Sequence, residues 1–207
     1  MTEHAGGATI RDLGRPGDLG WVVMAHGEVY VAEFGWDTSF EGLCARIVAD
    51  FAAGSGAPGQ AAWIAEVGGE RSGCVFVVGG EEPGVAKLRI LLVHPRARGR
   101  GLGARLVGTA VDFARAAGYE RMQLWTNHPL VAARHVYLAH GFSLVHEEPH
   151  HSFGVDLVGQ TYELDLRDRS PGSPDAPDAP DALDALDAPD APGAPDRRPA
   201  QPVDTRR

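Results

Sequence analysis

Cysteine is nearly absent: Cys44 and Cys74 are the only two in 207 residues, and they fall on separate predicted elements. No disulfide framework is expected, and a reducing cytoplasm fits the chain. Neither cysteine has the His and Asp neighbours of a thiol nucleophile. Long apolar runs are missing as well. Nothing approaches the ~20 residues that span a bilayer, and no signal peptide opens the chain, so a soluble cytoplasmic protein is expected. An excess of positive charge is also lacking, since the formal net charge is −9. From Asp168 onward nine Asp and five Arg give −4, which leaves −5 for the body. A mildly acidic body argues against non-specific binding to nucleic acid. Spaced metal ligands are absent too: His150 and His151 are adjacent, with no Cys or H-x-x-x-H partner, and no metal is expected.

What is present is one domain of ordinary size, residues 1–167, and a tail, residues 168–207. From Ser170 the chain repeats Asp-Ala-Pro or Asp-Ala-Leu with a period of three. That segment has no aromatics, few apolar residues and many prolines, so nothing offsets the entropy of ordering it, and disorder is expected.

The stretch Val85 to Val107 organises the rest. It begins as an apolar strand, stops at Pro95, becomes a basic glycine-rich loop, and continues in helical period. A strand feeding a glycine-rich turn at a helix N-terminus makes an anion site, because unpaired backbone N–H groups point the same way. Gly99, Gly101 and Gly103 let the backbone approach a ligand. Arg96, Arg98, Arg100 and Arg105 add charge suited to phosphate oxygens. The chemical reading is a cradle for a diphosphate.

Spacing narrows the ligand. A Walker A loop needs Gly-Lys-Ser/Thr, which does not occur. A Rossmann fingerprint needs G-x-G-x-x-G and an acid ending the next strand; here the next strand, Arg121 to Trp125, ends in Thr126 and Asn127. What remains, Arg98-x-x-Gly101-x-Gly103, resembles the R/Q-x-x-G-x-G/A loop of the GNAT N-acetyltransferases. A Val-x-Pro strand end precedes it, an amphipathic helix follows, and Tyr137-x-x-x-Gly141-Phe142 lies where that family places its fourth helix. The resemblance covers Thr9 to Leu166. The runs His26 to Tyr30, Glu33 to Asp37 and Glu147 to Gly154 look like acetyltransferases fused behind a MarR-type winged helix. Only a few residues precede the first strand here, so that regulator module is not expected.

The rest of the chain fits an α+β fold. Thr9 to Arg11 reads as a strand. Asp18 then opens a helix with Leu19, Val22, Val23, His26 and Tyr30 on one side; Gly27 weakens it and Gly35 ends it. Thr38-x-x-Glu41 is a capping-box signature, opening a helix that buries Phe40, Leu43, Cys44, Ile47 and Phe51. Ala62–Val67 and Cys74–Val78 form a hairpin about a turn at Gly68–Arg71. After the loop, Leu102, Leu106, Ala110, Phe113, Ala114 and Ala117 form a helical stripe stopped by Gly118. Pro129 and Gly141 frame the last helix. Phe142 to His146 and Val155 to Leu166 are strands, joined by a loop at Glu147–Phe153. The resemblance implies the GNAT fold: a mixed, mostly antiparallel sheet splayed between strands four and five, flanked by about four helices.

Acetyl transfer to an amine needs a fixed thioester, a polarised carbonyl, a neutral amine and a protonated leaving thiolate. The resemblance implies acetyl-CoA as co-substrate, with pantetheine on the backbone of Leu91, Leu92 and Val93. It puts the pyrophosphate on the amides of Arg98, Gly99, Arg100, Gly101, Leu102, Gly103 and Ala104. Tyr137 matches the family's tyrosine beside the coenzyme sulfur, the alternative being a tyrosine packed on the sheet. The family's asparagine seven residues earlier is Leu130 here, so that contact is missing or comes from Asn127. Lys87 and Arg89 stand where relatives carry a glutamate base. Glu33, His26 and His151 are the candidates for that role, with Glu33 preferred, and proton loss to solvent is the alternative. Arg89 either grips an acceptor carboxylate or pairs with Glu33 or Glu148. Tyr30, Trp36, His151 and Trp125 are candidates to line the acceptor site, core packing being the alternative for the aromatics.

The expected function is an N-acetyltransferase acting on a small primary amine such as an amino acid. A non-catalytic acyl-CoA sensor is the alternative from another class, and ATP competing with CoA would mark plain nucleotide binding. A homodimer through the final hairpin is a family-level expectation.

Overall fold

The computed structural model describes residues 7–54 and 56–167; the expected tail, 168–207, lies outside the described residues. The chain runs β1 (Thr9–Asp12), α1 (Asp18–Phe34), α2 (Thr38–Ala53), β2 (Ala61–Val67), β3 (Glu70–Gly79) and β4 (Val85–Val93). A 3-10 turn at Pro95–Ala97 leads to α3 (Leu102–Ala116), β5 (Arg121–Asn127), α4 (Val131–Ala139), β6 (Ser143–Ser152) and β7 (Val155–Asp165). The strands form one seven-stranded sheet in the order β1-β2-β3-β4-β5-β7-β6, and β4–β5 is its parallel pair. This is the GNAT fold.

Side-chain period decides what each face of the sheet buries. Val22, Ala25 and Val29 of α1 and Val48 of α2 pack on Ile64, Cys74, Phe76 and Leu92. On the other face Leu102, Leu106, Val107, Ala110 and Ala114 of α3 pack on Ala65, Val75, Val77 and Met122. Phe113 is only partly buried, edge-on to Trp63, and Ala117 is exposed past the end of α3.

The sheet splits at β4. Its pairing with β5 runs from Val85↔Arg121 to Leu88↔Leu124 and stops. Against β3, Phe76 faces Arg89 and Cys74 faces Leu92, so Ile90 and Leu91 oppose the single residue Val75. That extra residue is a bulge, and Ile90 takes a left-handed φ of 51°. A bulge bends its strand and reverses the side-chain alternation. Accordingly Ala86 and Leu88 pack toward α3, whereas Ile90 and Leu92 pack under α1.

Several local expectations need correction. The β2–β3 turn is only Gly68–Gly69, with φ of 60° and 82°, as a two-residue hairpin of this hand requires. The cap of α2 is Asp37, not Thr38: its Oδ1 accepts the Ser39 amide at 2.9 Å. Glu41 lies instead over Gly27, where a Cβ would stand 2.9 Å from its Oε2. Gly27 thus allows α1 and α2 to approach closely, and α1 runs through it unbroken.

Glu147–Phe153 is not a loop. β6 continues to Ser152, and the chain turns at Phe153–Gly154, with φ of 58° and 79°. β6 is an edge strand, so Pro149 leaves no ladder bond unmade. The buried Phe153 ring against Trp36 and Phe40 holds the turn, as does its carbonyl, which accepts the Asp37 amide at 3.0 Å.

Asp18, which sequence reading treated only as a helix start, is a buried hub. Arg11 binds it through two nitrogens at 2.8 and 2.9 Å, and Arg71 donates at 2.7 Å. Arg11 also meets Glu66 at 2.7 Å, which ties β1, α1, β2 and β3 together.

Candidate active site

Where β4 leaves β5, Arg89 to Val93 have no strand partner on that side. His94 donates its amide to Ser72 O at 2.8 Å, so backbone alternation turns the Val93 N–H to the open edge. Two concavities use this opening. A narrow groove is lined by Val29, Phe34, Leu92, Val93, Gly103 and Val136. A deeper cleft of about 520 Å³ lies on the α2 side. They meet at Tyr30, Leu91, Leu130 and Ala133, which line both.

The groove ends at the glycine-rich loop. Gly99 and Gly101 have φ of 73° and 65°, a conformation any Cβ would strain. α3 begins without a side-chain cap, and Arg105 is the first residue whose amide bonds back into the loop, to Gly101 O at 3.1 Å. The amides of Leu102, Gly103 and Ala104 are therefore left to face outward, as an anion requires. The Arg98 amide is not among them, because it closes the 3-10 turn onto Pro95 O at 3.3 Å. Its guanidinium is held by Glu33 at 2.7 Å. Arg96 reaches Glu70 and the Arg71 carbonyl, Arg105 donates to Ala8 O, and Arg100 is exposed. An apolar groove ending in uncapped amides fits a slender chain bearing a diphosphate, as in acetyl-CoA.

The cleft has two unlike walls. α2 supplies Phe40, Leu43, Cys44 and Ile47, three of them only partly buried, and Phe40 and Leu43 also pack on the Trp36 and Phe153 cluster. The sheet supplies Lys87, Arg89, Gln123, Trp125 and Thr161. Lys87 is paired with Glu81 at 2.8 Å, and Gln123 donates to Glu163 at 2.8 Å. Arg89, half-buried, makes no ion pair or side-chain hydrogen bond among the described residues. The acids named as its partners lie elsewhere: Glu33 holds Arg98, and Glu148 lies beside His146. No carboxylate lines the cleft among the described residues.

Three titratable rings also line it. His26 is buried; Nδ1 lies 2.7 Å from the Val22 carbonyl, and Nε2 has no partner among the described residues. Burial pushes its pKa down to about 4 against the pull of that carbonyl, so the ring is neutral, with Nδ1 donating and the Nε2 lone pair free. Tyr30 stacks on it at 5.8 Å. Tyr137 is buried beside Phe142 and Tyr162, and its hydroxyl has no hydrogen-bond partner among the described residues. Burial holds both phenols well above the ordinary range.

Sequence-predicted residues are thus partly gathered. Tyr30, Trp36, Arg89, Leu91, Asn127 and Tyr137 line the cleft, Trp36 within an aromatic cluster. Glu33 lines the groove, and His151 sits outside, exposed and bonded to Asp156 at 2.7 Å. Strand alternation sends its neighbour His150 inward, where Nε2 meets Asn127 Oδ1 at 2.8 Å and Nδ1 meets Ser152 at 2.9 Å. Sequence reading missed His150, Gln123 and Thr161. The period-two pairing of Lys87 with Gln123 and of Trp125 with Thr161 is the signal that groups the last two with Arg89. Among the described residues no group of three or more His, Cys, Asp or Glu could hold a metal ion.

Comparison with known proteins bears on this arrangement. The model of the Acetyltransferase (GNAT) family matches residues 23–142. An uncharacterized N-acetyltransferase of Schizosaccharomyces pombe is 29% identical over 113 residues, 55% of this chain and 69% of that protein. A putative acetyltransferase from Salmonella typhimurium, solved with its cofactor acetyl-CoA, superposes with a TM-score of 0.61 at 22% identity, covering 82% of this chain and 98% of that one. Spermidine N-acetyltransferase from Vibrio cholerae, solved with CoA and spermine, has a TM-score of 0.61 at 16% identity, covering 77% and 96%.

Proposed function

The chain belongs to the acetyltransferase (GNAT) family and is an acetyl-CoA-dependent acyltransferase, and from that premise we propose that it acetylates the primary amine of a small molecule, directly, with both substrates bound. The observation that carries this is the meeting of groove and cleft at the open edge of β4, with Tyr137 lining the cleft at that edge. A ligand-sized cleft with an apolar wall facing a polar one suits a small acceptor better than an extended protein segment.

The amides of Leu102, Gly103 and Ala104 hold the diphosphate, and the backbone of Leu91 to Val93 aligns the chain that follows it. Acetyl-CoA, when bound, supplies the acetyl group as a thioester. The Val93 N–H polarises its carbonyl. Tyr137 gives its phenolic proton to the departing sulfur and regains one from water, to which the amine has released its own; its depressed acidity keeps the proton in place until then. The role expected of Glu33 as base is reassigned, since its carboxylate is committed to Arg98 in the groove. The amine proton passes to water in the cleft. His26, buried and pushed down to about 4, stays neutral beside the cleft and takes no part in that transfer. Asn127, held by His150, lines the cleft three residues before Leu130, the position of the family's asparagine, and takes over that contact.

The cleft's lack of a carboxylate favours one competing reading, an acyl-CoA sensor without turnover. Release of free thiol from acetyl-CoA in the presence of pooled amino acids and amines tests both. Amine-dependent thiol release supports the transferase; tight acetyl-CoA binding with no release supports the sensor. β6 is an edge strand with Leu144 and Val145 exposed, which supports a homodimer through the final hairpin. Two free buried cysteines support a cytoplasmic site of action. Kinship with MarR-fused acetyltransferases rests on the runs at His26, Glu33 and Glu147.

A further inference from the structure

Resting on that transferase reading, we infer that the acceptor is an amino acid with a free carboxylate and an apolar or aromatic side chain, its carboxylate gripped by Arg89. A guanidinium half-buried beside apolar groups is unfavourable unless an anion or water satisfies its donors. The protein supplies no anion. Lys87 and Gln123 on the same wall are each taken by a glutamate, while Arg89 faces the cleft without one. Its planar fork matches a carboxylate through two parallel bonds.

Position and shape agree with this class. Arg89 lies two residues before Leu91, where cleft and groove join. An amine separated from its carboxylate by one or two carbons can therefore reach the junction while Arg89 holds the other end. Opposite, Phe40, Leu43 and Ile47 present an apolar face along which a hydrocarbon side chain lies. A polyamine is disfavoured, because a second ammonium would meet Arg89 and Lys87 with no carboxylate lining the cleft to receive it.

Product binding tests the grip without interference from amine ionisation. Calorimetry on the full chain saturated with CoA should find N-acetylphenylalanine bound about 10- to 100-fold more tightly than N-acetylphenylalaninamide. Arg89→Gln should abolish the difference, and Arg89→Lys should keep a smaller part of it. An unchanged acetyl-CoA dissociation constant in both variants checks their folding. In turnover, kcat/KM for phenylalanine and leucine should exceed that for spermidine by a similar margin. Equal binding of acid and amide, no binding of either, or a preference for spermidine overturns the inference. Acetyl-CoA binding without turnover of any amine would overturn the transferase reading instead, so the two failures are told apart.

Discussion

Glu33 closes on Arg98 through both carboxylate oxygens, Oε1 at 2.7 Å from one guanidinium nitrogen and Oε2 at 2.9 Å from another. The pair joins the last turn of α1 to the loop after β4, and both side chains are mostly covered. A carboxylate held this way positions the loop; it does not take protons from an acceptor in the neighbouring cleft. Glu33→Gln should leave kcat within about three-fold, because general-base loss would cost about 100-fold or more, and the change should fall on KM for acetyl-CoA. Steady-state kinetics with each substrate varied checks this. A collapse of kcat with loss of the acidic limb of its pH profile would return the base to Glu33.

Tyr137→Phe separates chemistry from packing. The ring is buried, but its hydroxyl makes no hydrogen bond among the described residues, so removing the oxygen strands no partner. Thermal stability should stay within a few degrees, while kcat falls by about 100-fold or more through loss of the proton donor. Melting curves and single-turnover rates on the same preparation decide. A kcat within a few-fold of the parent would leave Tyr137 a packing residue only.

The fold was legible because its strands alternate and its glycines punctuate. Gly35, Gly118 and Gly141 end helices, and all three have positive φ. The glycine-rich loop was legible for the same reason, since Gly99 and Gly101 adopt the backbone their type permits. Pairing of side chains was not. Nothing local to Glu33 says that its partner is Arg98, 65 positions on. The α2 stripe read as core because periodicity reports apolarity, and a cleft wall is as apolar as a core. The second half of β6 read as a loop because Pro149, His150 and His151 have poor strand propensity, which an edge strand tolerates.

Gly159 bears on the acceptor alone. A Cβ there would stand 2.9 Å from Trp125 Nε1 and 3.1 Å from its Cζ2. Trp125 is 46% exposed, so its indole can swing away rather than unfold the sheet. Gly159→Ala should therefore raise the acceptor KM several-fold and leave acetyl-CoA binding unchanged, read by varying each substrate and by coenzyme titration. Equal effects on both substrates would mean that the strand, not the indole, had moved.

Acid should weaken the fold in two separable steps. An unfolded histidine titrates near 6.5, whereas burial pushes His26 down to about 4. Between those values the unfolded chain binds a proton that the folded chain refuses, so stability falls as pH drops through that window, by at most about 3 kcal/mol. Asp18 acts lower. Arg11 above all, helped by the Gly14 and Arg15 amides and by Arg71, holds its carboxyl well below the usual range despite burial. That contribution is complete above the unfolded carboxylate value near 3.9 and is lost as pH falls beneath it. His26→Phe keeps a ring of similar shape and removes the titration. Urea midpoints from pH 7 to 3 should show its loss between 6.5 and 4 smaller than the parent's by up to about that amount, with the drop below 4 retained. Identical profiles for the two proteins would show that His26 takes up its proton in the fold as readily as in the unfolded chain, so that burial does not hold its titration down.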